Sequence, residues 1–388
     1  MDSKGMGIKM WNEMRIRNQF QLKIKITVFL LGSFIPTLLR ADAASRLLMT
    51  PGFNVSIYAS DLGNSRGMAL SPDGVLYVCQ MGEGRVTALL DPGNTGLSTQ
   101  TKIVIEGLHH PHSLAFYQDS LYVGETDRVS RFTLGDGRLT REDGQTVVVL
   151  PGGGNHSTRT ILFGPDNKLY ISIGSTCNAC EEMDERRATI CRCNPDGTQF
   201  EVFAKGLRNA VGITFRPGTL DLWASCNGRD LIGDDLPPEC FYRVEQGKHY
   251  GWPYSYTLKG KIVPDPDLGG KGIRQTGLPV IEYQAHCAPL GITFYTGTAF
   301  PKKYKDGLFV CFHGSWNRNI PVGYKVVFFP FGKNRKKVGP GQDFLGFRLE
   351  NGEQVGRPVD VLTGTHGELF VSDDNGGRIF KVVYAGKK

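Results

Sequence analysis

The amino-acid sequence predicts an all-β chain folded as a six-bladed β-propeller. Three observations predict it: one strand-turn-strand pattern recurs six times, its first three copies start 46 and 47 residues apart, and no stretch keeps a helical period. That spacing is the one expected of propeller blades, each a small sheet that buries its faces only against its neighbours.

The copies are MALSPDGVLYV (68–78), LAFYQDSLYVG (114–124), ILFGPDNKLYISIG (161–174), ITFRPGTLDLWAS (213–225), ITFYTGTAFPKKYKDGLFV (292–310) and VLTGTHGELFVSDD (361–374). Each is followed by a further alternating strand: GRVTALL, DRVSRFTL, ATICRC, ECFYRV, GYKVVFF and GRIFKVVY. Every unit therefore has at least three strands, and the alternation suits sheets packed face to face. A β-sandwich would account for the strands but not for the sixfold recurrence.

The 50 glycines, 21 prolines and 40% apolar content of the 388 residues exclude a disordered chain or a helical bundle. Residues 1–43 read differently from the rest. Lys4, Lys9, Arg15, Arg17, Lys23 and Lys25 precede an apolar run from Ile26 to Leu39, and Ala41-Asp42-Ala43 offers a small-x-small cleavage site. A membrane span needs about 20 apolar residues, more than this run supplies. The expectation is a cleaved signal peptide over 1–43, a single propeller over 44–388, no stable membrane span, and secretion or a periplasmic location. The leader carries +4 of the net charge of +7, so about +3 remains. Nucleic acid is not an expected partner, and the local cluster Lys333, Arg335, Lys336 and Lys337 reads as a solvated loop.

Nine cysteines in an oxidising compartment imply disulfide bonds with at least one thiol left over. Cys177, Cys180, Cys191 and Cys193 crowd together and read as bridged thiols rather than a zinc site. Cys79, inside the strand LYVC, reads as a free core residue.

In a propeller, the segment leading into each innermost strand opens onto one end of the central channel. Here those segments carry His109, His110 and His112; Asn155, His156 and Arg159; Arg208 and Asn209; His286; and Arg357. His109, His156 and Arg208 each precede their blade's phenylalanine (Phe116, Phe163, Phe215) by seven positions, so three blades offer equivalent positions to one pocket. A neutral imidazole beside a guanidinium suits proton abstraction with stabilisation of developing negative charge. No serine elbow, Walker loop or dinucleotide fingerprint is present. PGGGNHS precedes a strand rather than a helix and is a poor phosphate cradle.

The motifs GGGNHSTRTILFGPDNKLYISIG, GLRNAVGITF, KHYGWPY, HCAPLGITFY and HGSWNRNIPVGYKV together resemble the soluble quinoprotein glucose and aldose dehydrogenases, most of all their sorbosone-dehydrogenase-like branch, from about Pro51 to Tyr384. The resemblance implies pyrroloquinoline quinone (PQQ) and a calcium ion at one end of the channel. It also implies oxidation of a sugar by hydride transfer to the quinone, with electrons passed to an external acceptor. It makes His156 the base and Arg208 the residue that stabilises charge on the cofactor, with Asn209 and Arg357 as cofactor contacts. Placement and local motif add Arg66, His286, Arg318 and Trp316; Trp316 lies either against the cofactor ring or in the core. Arg159 either reaches the pocket or holds an ion pair in its blade. The calcium turn maps onto Asn227-Gly228-Arg229, with Asp230, Asp234 and Asp235 as further ligands, as a second ion site or as an acidic solvent loop.

Two features depart from the glucose-oxidising pattern. Ser175 stands where that branch has an acidic residue, which puts the partner of His156 in question. Asn155-His156-Ser157 is also a glycosylation sequon; an unmodified Asn155 is expected, with Asn54 the acceptor in a glycosylating host. Two alternatives stand beside the dehydrogenase reading: a calcium-dependent lactonase or esterase, and a non-enzymatic propeller that binds another protein.

Overall fold

Each sheet has two faces to bury, and the chain meets that need by arranging six largely antiparallel sheets around one axis. The computed structural model describes residues 44–272, 274–332, 337–349 and 351–386. The expected signal peptide over 1–43 lies outside the described residues, as do Lys333, Arg335 and Lys336 of the basic cluster; Lys337 is exposed.

Blade one runs through Ser65–Leu70, Leu76–Gln80, Arg85–Leu90 and Gln100–Glu106, and blade two through Ser113–Tyr117, Ser120–Gly124, Arg128–Thr133 and Gln145–Val149. Blade three comprises Arg159–Phe163, Leu169–Ile173, Thr189–Cys193 and Glu201–Lys205. Blade four comprises Ile213–Phe215, Leu222–Cys226, Glu239–Val244 and Ile281–Tyr283, with an inserted hairpin at Ser255–Leu258 and Lys261–Pro264. Blade five holds Pro289–Phe294, Leu308–Phe312, Lys325–Phe329 and Gln342–Gly346, joined at its edge by Leu48–Met49.

Blade six takes only three strands from the end of the chain: Pro358–Thr363, Leu369–Asp373 and Arg378–Tyr384. Its outermost strand is Phe53–Ala59, paired antiparallel with Phe53 opposite Tyr384. This closure covers the sheet edge that the three C-terminal strands would leave open.

The apolar core is divided among the blade interfaces. Leu76 and Val78 of blade one pack with Phe370 and Ile379 of blade six, and Tyr170 and Ile190 of blade three pack with Leu222 and Ala224 of blade four. The second strands of blades three to six are buried at every position, which explains their near-continuous apolar runs.

Around the axis the innermost strands approach closely. A side chain at Gly212 would lie 2.1 Å from the Leu290 carbonyl oxygen, and one at Gly67 would lie 2.5 Å from that of His112, so both positions require glycine. Serine hydroxyls tie blade to blade: Ser113 donates to the Arg159 carbonyl at 2.8 Å, Ser225 to that of Leu290 at 2.7 Å, and Ser372 to that of Arg66 at 2.8 Å. These bonds join blade two to three, four to five and six to one.

The crowded cysteines resolve differently from a shared framework. Cys177 and Cys180 are bridged, whereas Cys191 and Cys193 are free and buried. The two free thiols are separated by one residue on a strand, so both face the apolar interface with blade two, away from the bridged loop. Cys79 is a free core thiol, as the sequence indicates.

Candidate active site

The segments leading into the innermost strands, with the turns that follow the second strands, meet at one end of the axis. They line an open cavity of about 240 Å³. Of the sequence-derived candidates, His156, Arg208, Asn209, Arg357, Trp316, Arg66, His286, Gly228 and Asp230 lie on its wall.

His156 sits just before blade three, where Gly174 at the end of the second strand makes room for it. A Cβ at Gly174 would fall 2.5 Å from that of His156 and 2.8 Å from the Asn209 amide oxygen. The His156 Nδ1 lies 2.8 Å from Ser175 Oγ and 3.2 Å from the Ser175 carbonyl oxygen. The Ser175 hydroxyl donates its own hydrogen to the Cys177 carbonyl at 2.7 Å. Both Ser175 groups therefore accept from Nδ1–H, and the neutral ring keeps its lone pair on Nε2. Burial, reinforced by the nearby Arg208 charge, pulls the imidazole pKa down to about 4.

Arg208 is 5% exposed. Its Nε donates to the Asn178 carbonyl at 2.9 Å, and one terminal nitrogen donates to Asn178 Oδ1 and to Asp230 Oδ2, each at 2.9 Å. Burial opposes charge on Asp230, but His286 and Arg208 outweigh it and hold the carboxyl below the usual range. His286 responds in the opposite sense: Asp230, 3.8 Å from its Nδ1, raises its pKa against the effect of burial. Its Nε2 donates to the Gly233 carbonyl at 2.8 Å.

On the opposite wall, Arg66 pairs with Asp374 at 2.6 Å, and Asp374 accepts from His313 Nε2 at 2.9 Å. The Arg357 guanidinium donates to the carbonyls of His313 and Gly314 at 3.1 and 2.9 Å. Its contacts there are neutral, so its positive charge is available to the cavity. Asn209 donates to Asn227 Oδ1 at 3.2 Å. Trp316 is 72% exposed at the mouth, which removes it from the core.

Several candidates lie elsewhere. Arg318 donates to the Asp234 carbonyl and to Asp235 Oδ1, and Asn319 N donates to Asp234, so these groups hold two rim loops together outside the cavity. The Arg229 side chain turns away into a buried pair with Asp265 at 2.8 Å and also reaches Asp267. Arg159, fully buried, donates to the carbonyls of Pro151, His156 and Thr158; it lies off the cavity wall and makes no ion pair among the described residues. His109 pairs with Asp127 at the surface, and His112 is buried on the axis, 3.4 Å from Arg66. Asn54 and Asn155 are both exposed.

The cavity also contains residues that pattern reading missed. His313 and Asn317 belong to HGSWNR; Asp374, which closes the sixth repeat, stands behind the wall and accepts from His313. Glu239 opens ECFYRV and looks like an ordinary strand residue, yet it is buried, accepts from Gly228 N and Ala288 N, and is pushed up to about 7 by desolvation. The Asn317 amide donates to Asp230 at 2.9 Å, while its buried oxygen lacks a partner.

This set fits a planar polyanion. Three guanidinium groups line the wall and Trp316 offers an aromatic face, while the unpartnered Asn317 oxygen beside Asp230 suits a cation or a hydroxyl donor instead. Among the described residues, three metal-ligating side chains of the His, Cys, Asp or Glu type converge only at Cys177, Cys180 and Glu182, and those cysteines are bridged. A calcium ion would therefore draw on main-chain and amide oxygens near Asn227 and Gly228, not on a carboxylate cage.

Fold and site define a six-bladed propeller with one axial, arginine-rich pocket and a neutral histidine on its wall. The chain belongs to the TrAA12-like family, whose family model matches residues 47–237 and 273–385. It is 31% identical over 389 residues to an uncharacterised protein of Borreliella burgdorferi, covering 95% of this chain and 99% of that one. It is 26% identical over 395 residues to the pyrroloquinoline quinone-dependent pyranose dehydrogenase of Coprinopsis cinerea, covering 85% of this chain and 53% of that protein. The chain thus spans about half the length of the pyranose dehydrogenase. Similar solved structures include a Trichoderma reesei AA12 enzyme (TM-score 0.76, 22% identity, 87% of this chain and 97% of that one). The PQQ domain of the Coprinopsis cinerea enzyme is another (TM-score 0.72, 23% identity, 87% and 97%). Both show the same fold.

Proposed function

We propose that the protein is a PQQ-dependent sugar dehydrogenase that oxidises the anomeric carbon or aldehyde group of an aldose or ketoaldose and passes the electrons to an external acceptor. The observation that carries this reading is the contact of His156 Nδ1 with both oxygens of Ser175, which leaves Nε2 as the basic nitrogen on a cavity wall beside Arg208. The names of the pyranose and aldose sugar dehydrogenase relatives support it.

When bound, PQQ supplies the two-electron oxidant that no side chain provides. Arg208, Arg357 and Arg66 would hold its carboxylates and carbonyl oxygens, with Asn209 as a hydrogen-bond partner and Trp316 against its ring or the sugar. A calcium ion near Asn227 and Gly228, with Asp230 beside it, would neutralise further charge. Nε2 of His156 accepts the proton of the substrate hydroxyl as the adjacent C–H bond breaks, and Ser175 keeps the ring oriented through the transfer. Arg208, fixed by Asn178 and Asp230, presents positive charge where negative charge grows. Secretion after removal of residues 1–43 is part of the same proposal. Among the described residues no helix is long and apolar enough to cross a membrane.

The test is reduction of an artificial electron-accepting dye by the purified chain, supplied with PQQ, calcium and a panel of aldoses and ketoaldoses. The reading requires sugar-dependent turnover, lost in His156→Ala, and a PQQ-dependent rise in melting temperature. Hydrolysis of lactones or esters without PQQ would replace it with the lactonase reading.

A further inference from the structure

The segment CNAC lies beside the cavity, and the mechanism above draws on it only through the contact of Asn178 with Arg208. Its bridge between Cys177 and Cys180 closes a four-residue loop, which restricts the backbone of Asn178. Every polar group of Asn178 beyond its own amide N–H is committed. Its carbonyl accepts from Arg208 Nε at 2.9 Å and from Trp252 Nε1 at 3.0 Å. Its Oδ1 accepts from Arg208 at 2.9 Å and from Asp230 N at 2.7 Å, and its Nδ2 donates to the Asp230 carbonyl at 3.0 Å. The same loop reaches the base, because the Cys177 carbonyl takes the Ser175 hydroxyl hydrogen and so turns the Ser175 lone pairs toward His156. Glu182 anchors the start of the loop by accepting from Thr176 N and Oγ1 at 2.6 and 2.7 Å.

Resting on the functional reading above, we propose that the disulfide loop 177–180 is the positioning element of the active site and that Asn178 is its working residue. One loop sets both partners of the reaction: it fixes the guanidinium of Arg208 through Asn178 and the ring of His156 through Cys177 and Ser175. The acceptor toward Arg208 is the essential group, and the amide fills the remaining contacts. Oδ1 accepts twice while Nδ2 donates, a combination that only asparagine offers at this reach.

The test combines turnover with a measurement on the cofactor-free protein. Asn178→Ala should lower kcat about ten- to hundredfold while the sugar KM stays within about threefold, because a misplaced guanidinium loses its effect on the reacting atoms. Asn178→Asp, which keeps the acceptor toward Arg208, should recover much of the loss, and the double variant Cys177→Ser with Cys180→Ser should resemble Asn178→Ala. In protein labelled with ¹⁵N-arginine and free of PQQ, the Nε–H signal of Arg208, assigned by its loss in Arg208→Lys, should exchange with solvent at least about tenfold faster in Asn178→Ala and in the double serine variant. Unchanged exchange in Asn178→Ala would overturn the proposal, as would a lower melting temperature with kcat unaltered. If the wild type oxidises no sugar, the functional reading fails while the exchange rates still decide whether Asn178 positions Arg208.

Discussion

The segments leading into blades two and three carry histidines at the same register, and they end in different places. His109 and His156 both stand seven residues before a blade phenylalanine. Yet His109 turns outward to Asp127 at 3.3 Å, held by its main-chain N–H on Glu125, whereas His156 folds over Gly174 and is captured by Ser175. Strand register brings both to the rim of the channel. The partner that satisfies the ring decides which one faces the cavity. The two arginines of blades three and four differ in the same way: Arg159 spends its donors on carbonyls of its own segment, while Arg208 holds an aspartate on the cavity wall.

That contrast can be broken most severely at the base. His156→Ala should reduce dye turnover by about a hundred- to ten-thousandfold, the usual range for a positioned base, whereas His109→Ala should stay within about twofold. At the arginines the expected effects separate by kind. Arg208→Ala should lower kcat about a hundredfold or more with modest change in melting temperature. Arg159→Leu should cost about 3 kcal/mol or more in urea unfolding, since it strands the carbonyls of Pro151, His156 and Thr158.

Acidification sharpens the comparison further. The His156 pKa of about 4 lies below its unfolded value of about 6.5, so the neutral base is lost only as pH falls through about 4, and kcat/KM should hold down to roughly pH 5 before dropping. The same depression contributes stability that is complete above about 6.5 and disappears as pH falls to about 4. His156→Gln should therefore lose less melting temperature than the wild type between those pH values. The smallest effect is expected at the rim. Asp235, with its side chain 84% exposed, bridges Arg318 outside the cavity, so Asp235→Asn should change stability by no more than about 0.5 kcal/mol and leave the calcium dependence of activity intact.

The repeats make the propeller legible because a strand's period and its turn residues are local properties, and GPDNK or SPDG marks a hairpin wherever it occurs. The site is legible to the extent that lead-in segments converge, as His156, Arg208 and Arg357 do. His313 and Glu239 escaped notice for a physical reason: their roles come from groups distant in sequence, Asp374 for the first and the amides of Gly228 and Ala288 for the second. Asp234 and Asp235 stand next to the proposed calcium turn in sequence, and Arg318, more than eighty residues away, pairs with the Asp235 carboxylate and the Asp234 carbonyl.

By itself the sequence determined six blades, the end of the channel that carries the polar residues, and the histidine and arginine that face each other there. Tertiary structure alone decided that Phe53–Ala59 closes the last blade and that one disulfide loop steadies both sides of the site. Periodicity records which face of a strand is buried. It carries no record of which distant donor meets which acceptor, and that pairing gives the pocket its chemistry.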